Sequence, residues 1–278
     1  MKAIVVEGGA MRGVFASGVL DAFLEQDHNP FELAFGVSAG ASTLLGYLAG
    51  YPHRSINVLT KLATTSQFFS PKRFLQGGHL VDIKWLLDES NRLYPIDEER
   101  LFNGIPFFAT ATNIETGQAD YYRVSSDNFH HAIEATAALP VAYRHAPCFS
   151  GGSYTDGGVA DSIPVREAYR RGARDITVIL SHPMSYEKKP VKTPQLIRRL
   201  FAEHPQMAES LLHRPDDYND SLAFIYNPPE GVTVRVIAPP KQFRVHGLSM
   251  RRAVLLEGYE MGLVAGRRHL DGLLVKHT

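Results

Sequence analysis

The sequence predicts an α/β fold: a three-layer α/β/α arrangement with a mostly parallel central sheet covered by helices on both faces. Three observations carry this reading. Short apolar and β-branched runs alternate with longer helix-like runs through residues 1–181 of the 278, and such alternation implies crossover connections between parallel strands. A glycine-rich turn, Glu7-Gly8-Gly9-Ala10-Met11-Arg12-Gly13, follows the first strand candidate and opens a helix. A second turn, Gly36-Val37-Ser38-Ala39-Gly40, does the same after the apolar run Phe31-Glu32-Leu33-Ala34-Phe35.

Taken in order, Ala3-Ile4-Val5-Val6 is the first strand. Residues 14–24 set Val14, Leu20 and Phe23-Leu24 among small residues, as a helix covering a sheet does. Residues 31–35 form the second strand, and 41–49 suit the helix that follows it. Residues 56–63 and 81–87 read as further helices, the latter holding the sole tryptophan, Trp85. Residues 106–113 form a strand, and Glu115-Thr116-Gly117-Gln118 a hairpin turn into a second strand at 119–124. A helix over 128–139 stops at Pro140, and another over 163–171 stops at Gly172 before a strand at 175–181.

Beyond Ser181 the composition shifts. His182-Pro183, Lys188-Lys189-Pro190 and Lys192-Thr193-Pro194 mark a polar, proline-punctuated connection, followed by basic, amphipathic helix candidates at 195–201 and 206–226. The arginines near Arg198-Arg199 read as solvated charge. Residues 232–237 form a clean strand expected to join the same sheet. In the last helix, 249–274, Gly258, Gly262 and Gly266 recur every four residues and permit close backbone packing. A membrane reading of that stripe fails, because Arg251, Arg252, Glu257, Glu260, Arg267 and Arg268 interrupt it. With no internal repeat and no low-complexity segment, one domain over 1–278 is expected, its core motifs in 1–181 and helical and strand additions in 182–278.

Bulk properties narrow the function. Lys plus Arg equals Asp plus Glu at 29 each, so no net field favours nucleic acid or an anionic surface. Cys148 is the single cysteine, which excludes an intrachain disulfide and suits a reducing compartment. Glu7 interrupts the first apolar run too early for a signal peptide, and no run approaches the roughly 18 apolar residues of a membrane span. A cytoplasmic protein is expected, with transient contact at a membrane surface left open and no nucleic-acid partner.

The chemistry sits in the turns. A serine framed by glycines between a strand and a helix reads as a nucleophile elbow, with Gly36 and Gly40 letting the backbone turn and the substrate approach Ser38. Serine needs a nearby base to attack at neutral pH, in most serine hydrolases a histidine held by a carboxylate, and a further glycine-rich turn, Asp156-Gly157-Gly158, follows later in the chain. The amides of Gly8, Gly9 and Ala10, at a helix start, are aimed where negative charge develops on an attacked carbonyl. These three motifs, in this order, resemble the patatin-like phospholipase family, whose pattern is Gly-Gly-Gly-x-Arg-Gly, Gly-x-Ser-x-Gly and Asp-Gly-Gly or Asp-Gly-Ala. One departure is Ala10, where that pattern has its third glycine; a left-handed backbone there costs about 1 kcal/mol or more.

The resemblance implies a Ser38–Asp156 dyad, an oxyanion hole at Gly8, Gly9 and Ala10, and support of that loop by Arg12 and Gly13. Arg12 at the helix start either holds the loop or meets a lipid phosphate, and loop support is the preferred reading. The segment Ala135-Thr136-Ala137-Ala138-Leu139-Pro140-Val141-Ala142-Tyr143 resembles the family's small-residue stretch before the aspartate. With Val37 it would wall an acyl pocket, or it is ordinary core. The expected activity is that of a serine lipid acyl hydrolase: a phospholipase A, lysophospholipase or carboxylic ester hydrolase. Acyl transfer through the same acyl-enzyme and a silent lipid- or partner-binding role are the alternatives.

Rival chemistries lack parts. A dinucleotide turn needs glycine at Ala10 and a carboxylate after the second strand, and a phosphate loop needs Lys-Ser/Thr where Val14 follows Gly13. The twelve histidines contain no His-x-x-x-His pair, and His130-His131 point to different helix faces. No metal or organic cofactor is expected. A histidine triad through His145, His182 or His246 remains an alternative to the dyad.

Overall fold

A computed structural model describes the backbone of residues 1–275, and side chains through Gly272. Five parallel strands form the sheet's centre: β1 (Lys2–Val6), β2 (Leu33–Val37), β3 (Phe107–Asn113), β7 (Asp175–Ile179) and β8 (Thr233–Ile237), in the order β3-β2-β1-β7-β8. Three antiparallel strands complete it at the β3 end: β4 (Ala119–Arg123), β5 (Cys148–Phe149) and β6 (Gly152–Asp156). The sheet is therefore mostly parallel, as the alternation of runs predicts.

Successive side chains of β1 face opposite ways, and this separates two cores. Ile4 and Val6 face helices α1 (Gly13–Glu25) and α2 (Ala39–Leu48) through Phe15, Leu20, Leu44 and Leu45. Ala3 and Val5 face α8 (Val165–Arg170) and α10 (Pro205–Tyr226) through Val165, Tyr218 and Leu222. Both faces are covered, which is why β1 and β2 read as nearly unbroken apolar runs rather than alternating ones.

Between β2 and β3 lie α3 (Arg54–Asn57), which runs into a π-helical stretch (Val58–Leu62), then α4 (Pro71–Leu75), α5 (Ile83–Leu93) and α6 (Glu98–Phe102). Helix α7 (Phe129–Ala137) follows β4; α9 (Pro194–Leu200) and α11 (Arg252–Val275) complete the chain. The segment beyond 181 is tied to the sheet, because β8 pairs with β7 and α11 lies along α1. Among the described residues no helix is long and apolar enough to cross a membrane.

Several boundaries differ from expectation for local reasons. Strand β2 runs two residues further than 31–35, since Gly36 pairs with both Val6 and Ala109 and carries the ladder up to Ser38. The 81–87 helix begins at Ile83, where Asp82 caps the Trp85 N–H at 3.0 Å while Val81 bridges to Phe69. Helices α4 and α6 and strands β5 and β6 carry too few apolar residues to read as elements. The first two form behind the caps Ser70 and Asp97, the latter two by pairing.

The glycine stripe of α11 packs as expected. A Cβ on Gly262 would run into the Phe15 carbonyl oxygen of α1, and one on Gly18 into that of Tyr259. Gly262→Ala is expected to cost about 1–3 kcal/mol by overpacking, whereas Gly272→Ala, with nothing within 4 Å, gains up to about 1 kcal/mol of helix propensity. Urea unfolding of the two variants checks this; equal stabilities would contradict the packing.

Candidate active site

Ser38 joins β2 to α2 with φ 52 and ψ −125, a left-handed conformation that a side chain adopts only under constraint. The constraint is steric. A Cβ on Gly36 would overlap the Ala41 backbone, and one on Gly40 would overlap the carbonyl oxygens of Val6 and Glu7. From α7, Thr136 accepts the Ser38 N–H at 2.9 Å and fixes the turn from the side. Nothing in the sequence marks Thr136 for this, since the contact spans 98 residues.

Asp156 arrives by a different route to the same place. One edge of β3 pairs wholly with β4, so the other is shared: β2 occupies Phe107 to Thr110 and β6 occupies Ala111 to Asn113. Val37 lies opposite Thr110 and Asp156 opposite Ala111. The two strands thus end at adjoining positions, and the turns leaving them meet. Asp156 Oδ1 accepts the Gly158 N–H at 2.8 Å, and its backbone N–H donates to Ala138 at 2.9 Å. Its other oxygen, Oδ2, is buried without a hydrogen-bond partner. Of the side chains near the carboxyl, the Ser38 hydroxyl does most to favour its charged form.

Burial pushes the Asp156 carboxyl above its ordinary range, and the Ser38 hydroxyl, the Gly158 N–H, Arg214 and Lys188 pull it back only in part. No imidazole hydrogen-bonds Ser38 or Asp156 among the described residues. His145 sits against His79, His246 is exposed, and His182 stacks on Tyr186 with ring centroids 3.8 Å apart. Burial and the neighbouring cations Arg12, Lys188 and Arg214 push His182 down to about 3, so it stays neutral.

The glycine-rich loop lies against this pair. A Cβ on Gly8 would stand 3.2 Å from Ser38 Cβ and 3.0 Å from the Val37 carbonyl oxygen. Gly9 is extended, Ala10 has φ 48, and Ala10–Arg12 form a tight turn into α1. Ala10 therefore occupies the left-handed region at its expected cost. Among the described residues no acceptor takes the N–H of Gly8, Gly9 or Ala10, while Met11 donates to Gly247 and Arg12 to Gly9. Gly13 brings α1 against Ala39 at the start of α2.

Sequence reading missed what holds the loop from below. Glu7 is buried and accepts the Ser181 N–H at 2.6 Å and the Tyr218 hydroxyl at 3.1 Å. Burial raises its carboxyl pKa against those hydrogen bonds. Ser181 in turn donates to the Gly8 carbonyl at 3.2 Å and accepts from Arg12 Nε at 3.3 Å. Arg12 is thus linked to the Gly8 carbonyl through the Ser181 hydroxyl.

An apolar cavity of about 110 Å³ opens beside Ser38 and Ala10 and runs between α2, the π-helical stretch and α5. Leu45, Val58, Leu59, Phe68 and Leu86 line it. Ala137 and Leu139 also line it, whereas the Val37 side chain turns toward Gly8.

A model of the family described as "Patatin-like phospholipase" matches residues 4–169. The chain belongs to the patatin-like phospholipase family. Its mostly parallel sheet between helical layers is patatin-like, and the matched segment spans β1 to α8 with all three motifs. A second model, "Domain of unknown function (DUF6363)", matches residues 204–274. The "Uncharacterized protein YjjU" of Escherichia coli K12 is 34% identical over 273 residues, covering 96% of this chain and 76% of that one. The crystal structure of VipD from Legionella pneumophila superposes with a TM-score of 0.48 at 13% identity, over 96% of this chain and 67% of VipD.

Glu7→Ala orphans the Ser181 N–H and the Tyr218 hydroxyl and is expected to lower stability by about 1–3 kcal/mol. Glu7→Gln should cost less, because a neutral amide can accept from Ser181 while the tyrosine hydroxyl turns to accept. Denaturant unfolding measures both, and a wild-type midpoint for Glu7→Ala would contradict the bracing role.

Proposed function

We propose that the protein is a serine-dependent lipid acyl hydrolase working through Ser38 and Asp156. The observation that carries this reading is Ser38 on a strained turn beside a buried carboxylate with one unpartnered oxygen, neither of them hydrogen-bonded to an imidazole among the described residues. Hydrogen bonds of this kind are commonly long before substrate binds and close in the Michaelis complex.

Ser38 Oγ attacks the ester carbonyl while its proton passes to Asp156. The N–H groups of Gly8, Gly9 and Ala10, which have no acceptor among the described residues, receive the oxyanion. Asp156 then returns the proton to the departing alcohol, leaving an acyl group on Ser38. Water attacks that ester, giving its proton to Asp156, and as the tetrahedral intermediate collapses to the fatty acid Asp156 returns that proton to the departing Ser38 Oγ. A raised carboxyl pKa favours this cycle, since a stronger base takes the hydroxyl proton more readily. The apolar cavity beside Ser38 suits an acyl chain, so a phospholipid, lysophospholipid or other acyl glycerol fits as substrate. No step draws on a metal or organic cofactor. A cytoplasmic setting with transient membrane contact accords with such a substrate. If an alcohol outcompetes water at the acyl-enzyme, the same site transfers the acyl group.

Ser38→Ala is expected to reduce hydrolysis of a p-nitrophenyl acyl ester to background, and Asp156→Asn to reduce it by about 10²–10⁴, with circular dichroism unchanged. Retained turnover in Ser38→Ala contradicts the reading. Because the base must be ionised, kcat/KM should fall as pH drops through the Asp156 pKa, which burial places above the ordinary 3.8. An acid limb at or below the ordinary aspartate value contradicts the burial argument.

A further inference from the structure

We propose that Arg54, at the inner end of the cavity that opens beside Ser38, makes the site selective for acyl chains that end in a carboxylate. The substrate class that follows is a monoester of a dicarboxylic acid: one carboxyl is esterified and attacked by Ser38, and the other is free and meets Arg54. The proposal rests on the hydrolase reading and adds to it what the far end of the acyl group carries.

Helix α2 runs from the Ser38 turn along one wall of the cavity, to which it contributes Ser42, Thr43 and Leu45. Gly46 follows, and a Cβ there would stand 3.4 Å from Arg54 Cβ and 3.1 Å from Ser55 Oγ. Arg54 and Ser55, at the start of α3, both line the cavity, as does Ser90 of α5. From Ser38 to Gly46 the helix rises about 12 Å. The cavity therefore has an ester end, at Ser38 and Ala10, and a guanidinium end roughly two helical turns away.

That guanidinium has no counter-ion. Arg54 is only 3% exposed, and among the described residues no carboxylate forms a salt bridge with it. Its Nε donates to the Tyr94 carbonyl at 2.9 Å and its Nη2 to the Asn91 side-chain oxygen at 2.9 Å, while Nη1 has no acceptor among the described residues. Both acceptors are neutral groups at the end of α5. They tie α3 to that helix, and the helix C-terminus adds partial negative charge, but neutral donors would make the same tie. A full charge this deep is seldom kept unpaired. Burial lowers the Arg54 pKa to about 10, which still leaves it charged at neutral pH. An acyl chain ending in a methyl group leaves the cation as it is. A terminal carboxylate accepts its remaining N–H groups through two oxygens.

Chain length separates this cation from the others near the site. Arg214 and Arg12 stand at the ester end: a Cβ on Gly158 would lie 3.5 Å from Arg214 Nη2, and one on Gly247 would lie 3.4 Å from Arg12 Nη1. A carboxylate on a short acyl chain stays among those groups. Only a chain long enough to cross the apolar middle of the cavity, past Leu45, Val58 and Leu59, brings its end to Arg54.

The test compares kcat/KM for the glycerol monoesters of succinate and suberate with those of butyrate and octanoate, the unsubstituted acids of the same lengths. Wild type is expected to prefer the suberyl over the octanoyl ester by about tenfold or more, the size of one charge-assisted hydrogen bond. The succinyl ester, too short to cross the cavity, should show no such preference over the butyryl ester. A suberyl ester cleaved no better than the octanoyl one, or an equal carboxylate preference at both lengths, overturns the proposal and leaves the hydrolase standing. These arms use the wild-type protein alone and decide the matter even where a variant does not fold. In folded Arg54→Met the suberyl preference should disappear, and in Arg54→Lys part of it should remain; an unmoved preference in the methionine variant overturns the proposal. If no ester is cleaved, the hydrolase reading fails on its own, and calorimetry with suberate, succinate and octanoate decides the subsite. Suberate binding tighter than both of the others supports it, and any other order, or no binding, overturns it.

Discussion

One edge of strand β3 carries two partners, β2 and β6, and the site depends on that sharing. β2 runs alongside until Thr110, where it must turn away; β6 comes in from Ala111 in the opposite direction and must turn away too. Two chain reversals are forced into the space of neighbouring residues. The Thr112 hydroxyl pins the second by donating to the Asp156 carbonyl at 2.8 Å and accepting the Ala160 N–H at 3.1 Å. Glycines at 36, 40 and 157 follow from the crowding, since a Cβ at any of them would overlap backbone across the junction. The hydroxyl and the carboxylate are held by sheet register, which moves far less than a loop.

Placing polar groups at such a junction has energetic consequences. Ser38 and Ala10 both hold positive φ, at about 1–2 kcal/mol apiece. Asp156 and Glu7 are carboxyls in surroundings that resist their charge. A folded protein retains such features only where surrounding packing over-determines them. Here Phe35, Ile4, Leu44 and Ile163 are fully enclosed above and below the junction, and that enclosure sustains both strained turns. The same enclosure excludes water from the carboxyl.

The elements legible in the sequence are those whose neighbours are close along the chain or whose residues are uniformly apolar. Ala3 to Val6, the glycine-rich turn, the elbow at Ser38 and the strand at 233–237 all signal themselves locally. Strand β6 does not, because Gly152-Ser153-Tyr154-Thr155-Asp156 is polar and follows Ser150-Gly151, both at positive φ. Only its pairing with β3 makes it extended. Of the two readings open for Val37, core holds, because the strand's extension to Val37 turns its side chain toward Gly8. Lys188 falls in the polar, proline-punctuated connection and Arg214 in the helix candidate at 206–226, and only folding brings α10 over the Asp156 turn. Cavity residues Val58 and Leu59 look like ordinary helix core, and the wider π-helical turn that presents them has no sequence mark.

The central claim is that Ser38 Oγ is made nucleophilic by Asp156 alone. Intact-mass analysis after treatment with an alkyl fluorophosphonate measures this most directly. The account requires one adduct per chain, mapped by peptide sequencing to Ser38, and formed far more slowly in Asp156→Asn. A folded protein that stays unlabelled, or that labels equally fast without the carboxylate, would contradict it.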